Sequence, residues 1–572
     1  MWAPHKKKVF NLCVKNSAAM YFFFLFFFMS LSLKASLMDG VALVMEWEIS
    51  EKFFSEMSIL MVIDWVGCFF IMGVLFISGC VSLFSGFYMS HEKFLSRFTH
   101  LIQAFVMSMV ILVLFPGYLG LMVGWDGLGV VSFLLVIYYM NSESLSAGMI
   151  TAISNRIGDV CFILAIGIFS SLLSYSAKSG LVFDSIALGI LVLLGSMTKS
   201  AQVPFSAWLP EAMAAPTPVS TLVHSSTLVT AGVYVLIRFM DYLGEFEKSA
   251  LMVASMVTII LAGSSGSLEV DMKKVVALST LSQVGMMMFS LSMGSNEVAF
   301  FHLLVHAFFK ALMFMCVGGV IFYSGGCQDA RFLGGIWGKL PLTSSLLVFS
   351  NLSLMGFPFL SGFYSKELIV GNFLGGQYSL VSFVLLFVSL GFTVCYAVRM
   401  MSLMLQDMGL SSLSHYKMES GFYILALMMM GNGAVGMAVL MQCYFSSFVM
   451  SNSMRGDVFY SFLGMAMFFM TNCILLLLVS EKWKYSSLLK SFLSLMWFLK
   501  PLSGNLVSSS SLMKLSHYVK HVEMGWIRGF VWYSGLKKVV LGGSNKLRTM
   551  NFTSLGFILF YCVCFLAVVF LI

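Results

Sequence analysis

Charge is scarce in this 572-residue sequence: Asp, Glu, Lys and Arg make up 10% of it, against 59% hydrophobic residues. At a mean hydropathy of +0.94 there is too little polar surface to solvate a soluble domain, which leaves a polytopic membrane protein. The net charge of +8 is spread too thinly to form a nucleic-acid footprint, so no nucleic-acid partner is expected. The eleven cysteines contain no Cys-x-x-Cys pair and mostly lie within apolar segments, which argues against zinc, iron–sulfur and disulfide frameworks. No small-residue cleavage site follows the first apolar run near Met20, so no removable signal peptide is expected.

Proline is also rare, and its distribution is therefore informative. Four of the nine (Pro204, Pro210, Pro216 and Pro218) fall between Thr198 and Gly232, flanked by apolar stretches carrying Lys199 and His224. In hydrocarbon, a proline break is tolerated only where protein or trapped water satisfies the freed backbone groups. A basic side chain beside such a break points to a polar path rather than to lipid.

Apolar runs of about twenty residues mark fifteen expected crossings. They lie near 17–33, 58–84, 99–115, 119–139, 147–173, 182–203, 216–239, 250–267, 273–292, 297–323, 342–375 (broken), 379–404, 420–441, 457–480 and 551–572. Placing the N-terminal Lys6, Lys7, Lys8 and Lys15 on the inner side puts the large majority of the 33 basic residues on inner segments. Lys273 and Lys274, beside Asp271 at a span mouth, read as inner-face anchors. Residues 481–550 are rich in Lys and Arg, with only Glu481 and Glu523 as acids. Apolar residues at Leu512, Leu515, Val519, Val522, Trp526, Phe530 and Tyr533 give them the spacing of an amphipathic helix. That pattern fits a lateral helix along the inner face, leading to an anchor at 551–572, or a basic loop held to membrane lipids.

An ionised side chain at mid-membrane costs about 2.5–3.5 kcal/mol even on insertion scales, so the buried charges require an explanation. Gly124–Gly129 (GWDGLG) places Asp126 in the fourth span, with Lys199 as the expected partner. In Asn155–Asp159 (NRIGD), Arg156 and Asp159 lie one turn apart. Ala299–Gly319 sets His302, His306 and Lys310 four residues apart, a stripe about 12 Å long on one helix face. Gly356–Glu367 (GFPFLSGFYSKE) repeats the device of a broken helix plus lysine with Lys366, followed by Glu367. Two interrupted helices in corresponding halves point to an internally duplicated transporter. A carboxylate that moves relative to a buried lysine changes its proton affinity, and histidines relay near neutral pH. His302 and His306 could also ligate zinc, but no glutamate or cysteine partner accompanies them.

At these motifs, together with Thr198–Gly232 and Asp271–Gly285 (DMKKVVALSTLSQVG), the sequence resembles the antiporter-like membrane subunits of proton-pumping NADH:ubiquinone oxidoreductase, respiratory complex I. The resemblance covers roughly residues 120–370. It implies an all-α membrane bundle with inverted repeats, two broken helices and a C-terminal lateral helix. The segments would be 1–118 as N-terminal spans, 119–267 and 268–404 as the two repeats, 405–480 as further spans, 481–550 as lateral helix and 551–572 as anchor. It assigns Asp126 and Lys199 as the paired acid and lysine, His224 as relay, His302, His306 and Lys310 as the central link, and Lys366 as the distal lysine. Arg156, Asp159 and Glu367 would support them. NADH, FMN, iron–sulfur clusters and ubiquinone would sit on other subunits, with no cofactor or metal here. The partners would be neighbouring membrane-arm subunits, reached through 481–550, in the mitochondrial inner membrane. Many relatives carry Glu at the position of Asp126, and the family's first helix is expected to be missing or replaced. Two rival readings share these residues: a Mrp-type cation/proton antiporter subunit, and a structural anchor of the membrane arm.

Overall fold

Long apolar segments have no water to bond their backbones, so they close their hydrogen bonds within helices. The computed structural model describes residues 17–29, 42–50, 57–171, 186–240, 243–376, 379–405, 420–444, 487–499 and 513–522. Among the described residues, ten helices are long and apolar enough to cross a membrane. The chain divides into two units, residues 1–499 and 500–572.

The first unit starts with a short apolar helix, α1 (Ser17–Met29). A hairpin follows that the sequence reading did not anticipate, in the link after the first expected crossing and the start of the second: β1 (Leu43–Ser50) pairs antiparallel with β2 (Met57–Ile63), Leu43 opposite Ile63. The crossing expected at 58–84 therefore begins later, at α2 (Trp65–Tyr88). Asp64 explains the boundary: its carboxylate caps the helix by accepting from the Gly67 amide at 2.9 Å. The apolar run of β2 was indistinguishable by hydropathy from the helix behind it.

Next come α3 (Leu95–Leu114), α4 (Tyr118–Val136) and α5 (Ser142–Ser171). The first interrupted helix is α6 (Ile186–Lys199) followed by α7 (Trp208–Glu211) and a 3-10 turn, Ala212–Ala214. One rod then runs from α8 (Thr217–Val219) through a π-helical stretch, Ser220–Thr227, into α9 (Leu228–Phe239). α10 (Glu245–Gly266), α11 (Met272–Ser292) and α12 (Asn296–Tyr323) are uninterrupted. After α13 (Ile336–Lys339) the second break separates α14 (Pro341–Met355) from α15 (Ser361–Gly375). α16 (Leu380–Leu405), α17 (Gly421–Tyr444) and α18 (Ser487–Ser494) complete the described part of this unit.

The core is built around α12, in which every residue from Val298 to Ile321 is buried. The periphery includes α4 and α5, which expose Val123, Val130, Ile153 and Val160. The two interrupted helices enter from opposite ends. α6 starts beside the end that holds Glu247, with Gly189 against the Glu247 carboxylate, whereas α14 follows the loop joined to the start of α11. Lys93, Lys274, Arg331 and Lys339 cluster at the latter end, which marks it as the inner face.

At the outer end the guanidinium of Arg238 donates to both Asp64 oxygens, Nη2 to Oδ1 at 2.8 Å, and to the Tyr234 hydroxyl. Burial pushes the Asp64 carboxyl up, but the hydrogen bond and charge of Arg238 outweigh it and hold Asp64 below its ordinary range.

The second unit contributes α19 (Met513–Lys520), in which every side chain from Lys514 to Lys520 is exposed. The rest of the expected lateral helix, the crossing at 457–480 and the anchor at 551–572 lie outside the described residues.

Candidate functional site

Both helix breaks are built alike. Each contains a non-glycine residue in the left-handed region, Ala201 at φ 54° and Phe359 at φ 66°. Such backbone persists only where its surroundings over-determine it. Each break also has a glycine packed against it with no room for a side chain, Gly158 of α5 at the first and Gly362 of α15 itself at the second. A Cβ on Gly158 would meet Thr198 Oγ1 at 2.0 Å, and one on Gly362 would meet the Ser353 carbonyl oxygen at 2.0 Å.

Lys199 ends α6, fully buried. Its Nζ donates to the Trp125 carbonyl at 2.6 Å and lies 3.8 Å from the centroid of the Trp125 ring. That carbonyl belongs to the peptide bond preceding Asp126, yet the Asp126 side chain turns away. Its Oδ1 accepts instead from Arg156 Nη1 at 3.2 Å. The Asp126 and Arg156 side chains are 48% and 58% exposed. The expected Asp126–Lys199 pair is thus corrected: the direct partner of Asp126 is Arg156, because the α4 backbone, not the carboxylate, faces α6. The buried acid is Asp159, which binds Arg156 at 2.7 Å and accepts from the Trp125 indole N–H at 3.2 Å. Trp125 therefore joins the lysine and the carboxylate, a role that composition and spacing did not reveal.

His224 lies in the π-helical stretch, where the widened turn leaves carbonyls to be bonded by hydroxyls. Ser226 donates to Leu222 O at 3.0 Å and Thr227 donates to the same oxygen at 2.6 Å. Both His224 ring nitrogens are buried without a protein hydrogen bond, beside the Trp208 ring at 6.1 Å between centroids. Trp208 in turn donates to the Thr198 carbonyl at 3.0 Å, satisfying one group freed by the first break.

On α12 the expected stripe is present and entirely buried. The His302 and His306 rings are 6.2 Å apart between centroids. His302 Nδ1 is 2.9 Å from Ser365 Oγ, while both nitrogens of His306 have no hydrogen-bond partner among the described residues. Lys310 donates to Ser279 Oγ at 2.5 Å. Lys366, buried at the second break, donates to the Leu354 carbonyl, a group freed by that break. Ser365 stands next to it in sequence and against His302, and so connects α15 to the stripe. Glu367, next in sequence, is also buried. Among the described residues, no group of three or more His, Cys, Asp or Glu could hold a metal ion.

One expectation about a charge is reversed. Lys274 is the surface anchor, 2.9 Å from Asp271, but Lys273 is buried at 5% exposure. The two read alike in sequence, and helix rotation separates them.

Residues 116–393 match the family model for the transmembrane part of NADH:quinone oxidoreductases and Mrp antiporters. Among curated proteins, the chain is 47% identical to NADH-ubiquinone oxidoreductase chain 5 of Aedes aegypti over 403 residues, 68% of each chain. It is 37% identical to the same-named protein of Lumbricus terrestris over 537 residues, 90% of this chain and 92% of that one. Among solved structures, the Mrp complex from a Dietzia species contains a chain of similar fold, with a TM-score of 0.70 at 22% identity. The alignment takes in 95% of this chain but 63% of that longer one.

Proposed function

The chain belongs to the NADH-ubiquinone oxidoreductase chain 5 family, the antiporter-like membrane subunits of complex I, and from that footing we propose that it carries protons across the mitochondrial inner membrane along its buried lysines and histidines. The observation that supports this reading is the burial of Lys199, His224, His302, His306, Lys310 and Lys366 in one bundle, each lysine held by a backbone carbonyl or a hydroxyl rather than by an acid. Among the described residues, no carboxylate lies within salt-bridge distance of these lysines. Lys199 senses Asp159 through Trp125, and Asp159 and Asp126 share Arg156. A shift of Arg156 between the two carboxylates would alter the field at Lys199 and drive uptake or release. His302, Ser365 and Lys366 give the second half a direct link to the central stripe.

Redox chemistry would take place on other subunits, which bind NADH, flavin, iron–sulfur clusters and quinone, and this chain would receive its drive from neighbouring membrane-arm subunits. The test is Lys199→Met or Lys366→Met in the assembled enzyme, with NADH oxidation and proton uptake measured together in sealed vesicles. The reading requires loss of pumping with assembly intact. Normal pumping in both variants refutes it, and sodium-dependent exchange without NADH would favour the Mrp-type alternative.

A further inference from the structure

Gln202 is fully buried just past the first break, and the axis described so far does not use it. Its Nε2 donates to the Ser200 carbonyl at 3.2 Å. That carbonyl belongs to the peptide joining Ser200 to Ala201, the residue held in the left-handed region, and Ser200 follows Lys199 directly. The other end of the same amide is bound to a different helix. Thr258 of α10, also fully buried, donates its hydroxyl to Gln202 Oε1 at 2.8 Å. One side chain thus holds the left-handed backbone beside Lys199 with its nitrogen and a neighbouring helix with its oxygen. Thr258 is in turn hemmed in by α11. A Cβ on Gly285 would meet Thr258 Oγ1 at 2.9 Å, so α10 and α11 approach here with no room for a side chain. α11 is also the helix that supplies Ser279 to Lys310.

The Thr258 hydroxyl has a second acceptor, the Ser255 carbonyl one turn back at 2.6 Å. A hydroxyl carries one hydrogen, so it serves Gln202 or Ser255 fully, but not both. If it gives up Gln202, a bond within its own helix is already in reach, a common alternative for threonine. Gln202 Oε1 would then be buried without a donor, a cost that favours the bond between the helices.

We propose that Gln202 and Thr258 form a clasp that positions Lys199. It holds the Ser200–Ala201 peptide, and with it the lysine against Trp125, while tying the first interrupted helix to α10 and so to α11. Both are positioning residues, acting on the lysine through the backbone that carries it.

The inference rests on the proposed proton axis, and the experiment separates the two. In the assembled enzyme in sealed vesicles, Thr258→Val, Thr258→Ser, Gln202→Met and the double variant Thr258→Val with Gln202→Met are compared with Lys199→Met. Assembly, NADH oxidation and proton uptake are measured across a range of pH. Valine keeps the shape of threonine and removes the hydroxyl, so uptake per NADH oxidised should fall about threefold in Thr258→Val and return in Thr258→Ser. The double variant should be no worse than Gln202→Met, because both single changes open the same bond. The pH profile of uptake should also move, since Lys199 no longer keeps a fixed distance from Trp125. A change in packing alone would lower uptake by one factor at every pH. An unmoved profile in Thr258→Val, or additive losses in the double variant, would overturn the inference. Thr258→Ala, which adds no bulk near Gly285, gives the same reading where valine prevents assembly. Loss of uptake in Lys199→Met alongside that result would leave the axis standing, and its retention there would bring down both.

Discussion

The two interrupted helices carry the same device in different electrostatic settings. Lys199 faces an aromatic ring and a carbonyl, with Asp159, Arg156 and Asp126 gathered behind Trp125. Lys366 has a carbonyl of its own break and a serine–histidine contact beside it, with no ion pair to a carboxylate among the described residues. On the proposed reading, the first half would be driven by moving charge and the second would exchange protons with the central stripe.

The largest effect that would sharpen this contrast is expected at Asp159. Asp159→Asn removes the buried carboxylate that Trp125 and Arg156 both hold, so proton uptake should fall on the order of tenfold with NADH oxidation measured alongside. Asp126→Asn should cost a smaller factor, about threefold, because its side chain is half-exposed and bound to Arg156. If Asp126→Asn were the more damaging, the first half would have to work through direct contact with Lys199, and the contrast drawn here would break. Ser365→Ala probes the second half: loss of one hydroxyl contact to His302 should slow uptake by about threefold, with Thr restoring it. An equal effect from Asp159→Asn and Ser365→Ala would erase the difference between the halves.

A control lies outside both breaks. Arg238→Ala leaves the part-buried Asp64 without its cation, and removing one partner of such a pair costs up to about 3–5 kcal/mol, to be read as a lower Tm of the purified assembly. Because Asp64 is held below its ordinary range, the clamp contributes stability above the unfolded carboxylate pKa and loses it as pH falls through the lower, folded value. Acid should therefore narrow the Tm gap between wild type and Arg238→Ala. A gap that persists unchanged into acid would mean that Arg238 acts by packing alone.

Hydropathy, proline placement and the spacing of ionisable residues were enough to read the membrane bundle, both helix breaks and the stripe His302, His306 and Lys310, because bilayer span and helical period are properties of local sequence. The hairpin at 43–63 was not legible, since an apolar strand and the start of an apolar helix look alike until Asp64 caps one of them. Nor was the choice of Arg156 over Lys199 as partner of Asp126, the bridging role of Trp125, or the burial of Lys273 beside a half-buried Lys274. Each depends on how one helix is rotated against the next. Sequence determines which residues a helix carries, but only packing decides which of them faces a buried neighbour, because a rotation of one residue, about 100°, exchanges an inward charge for an outward one.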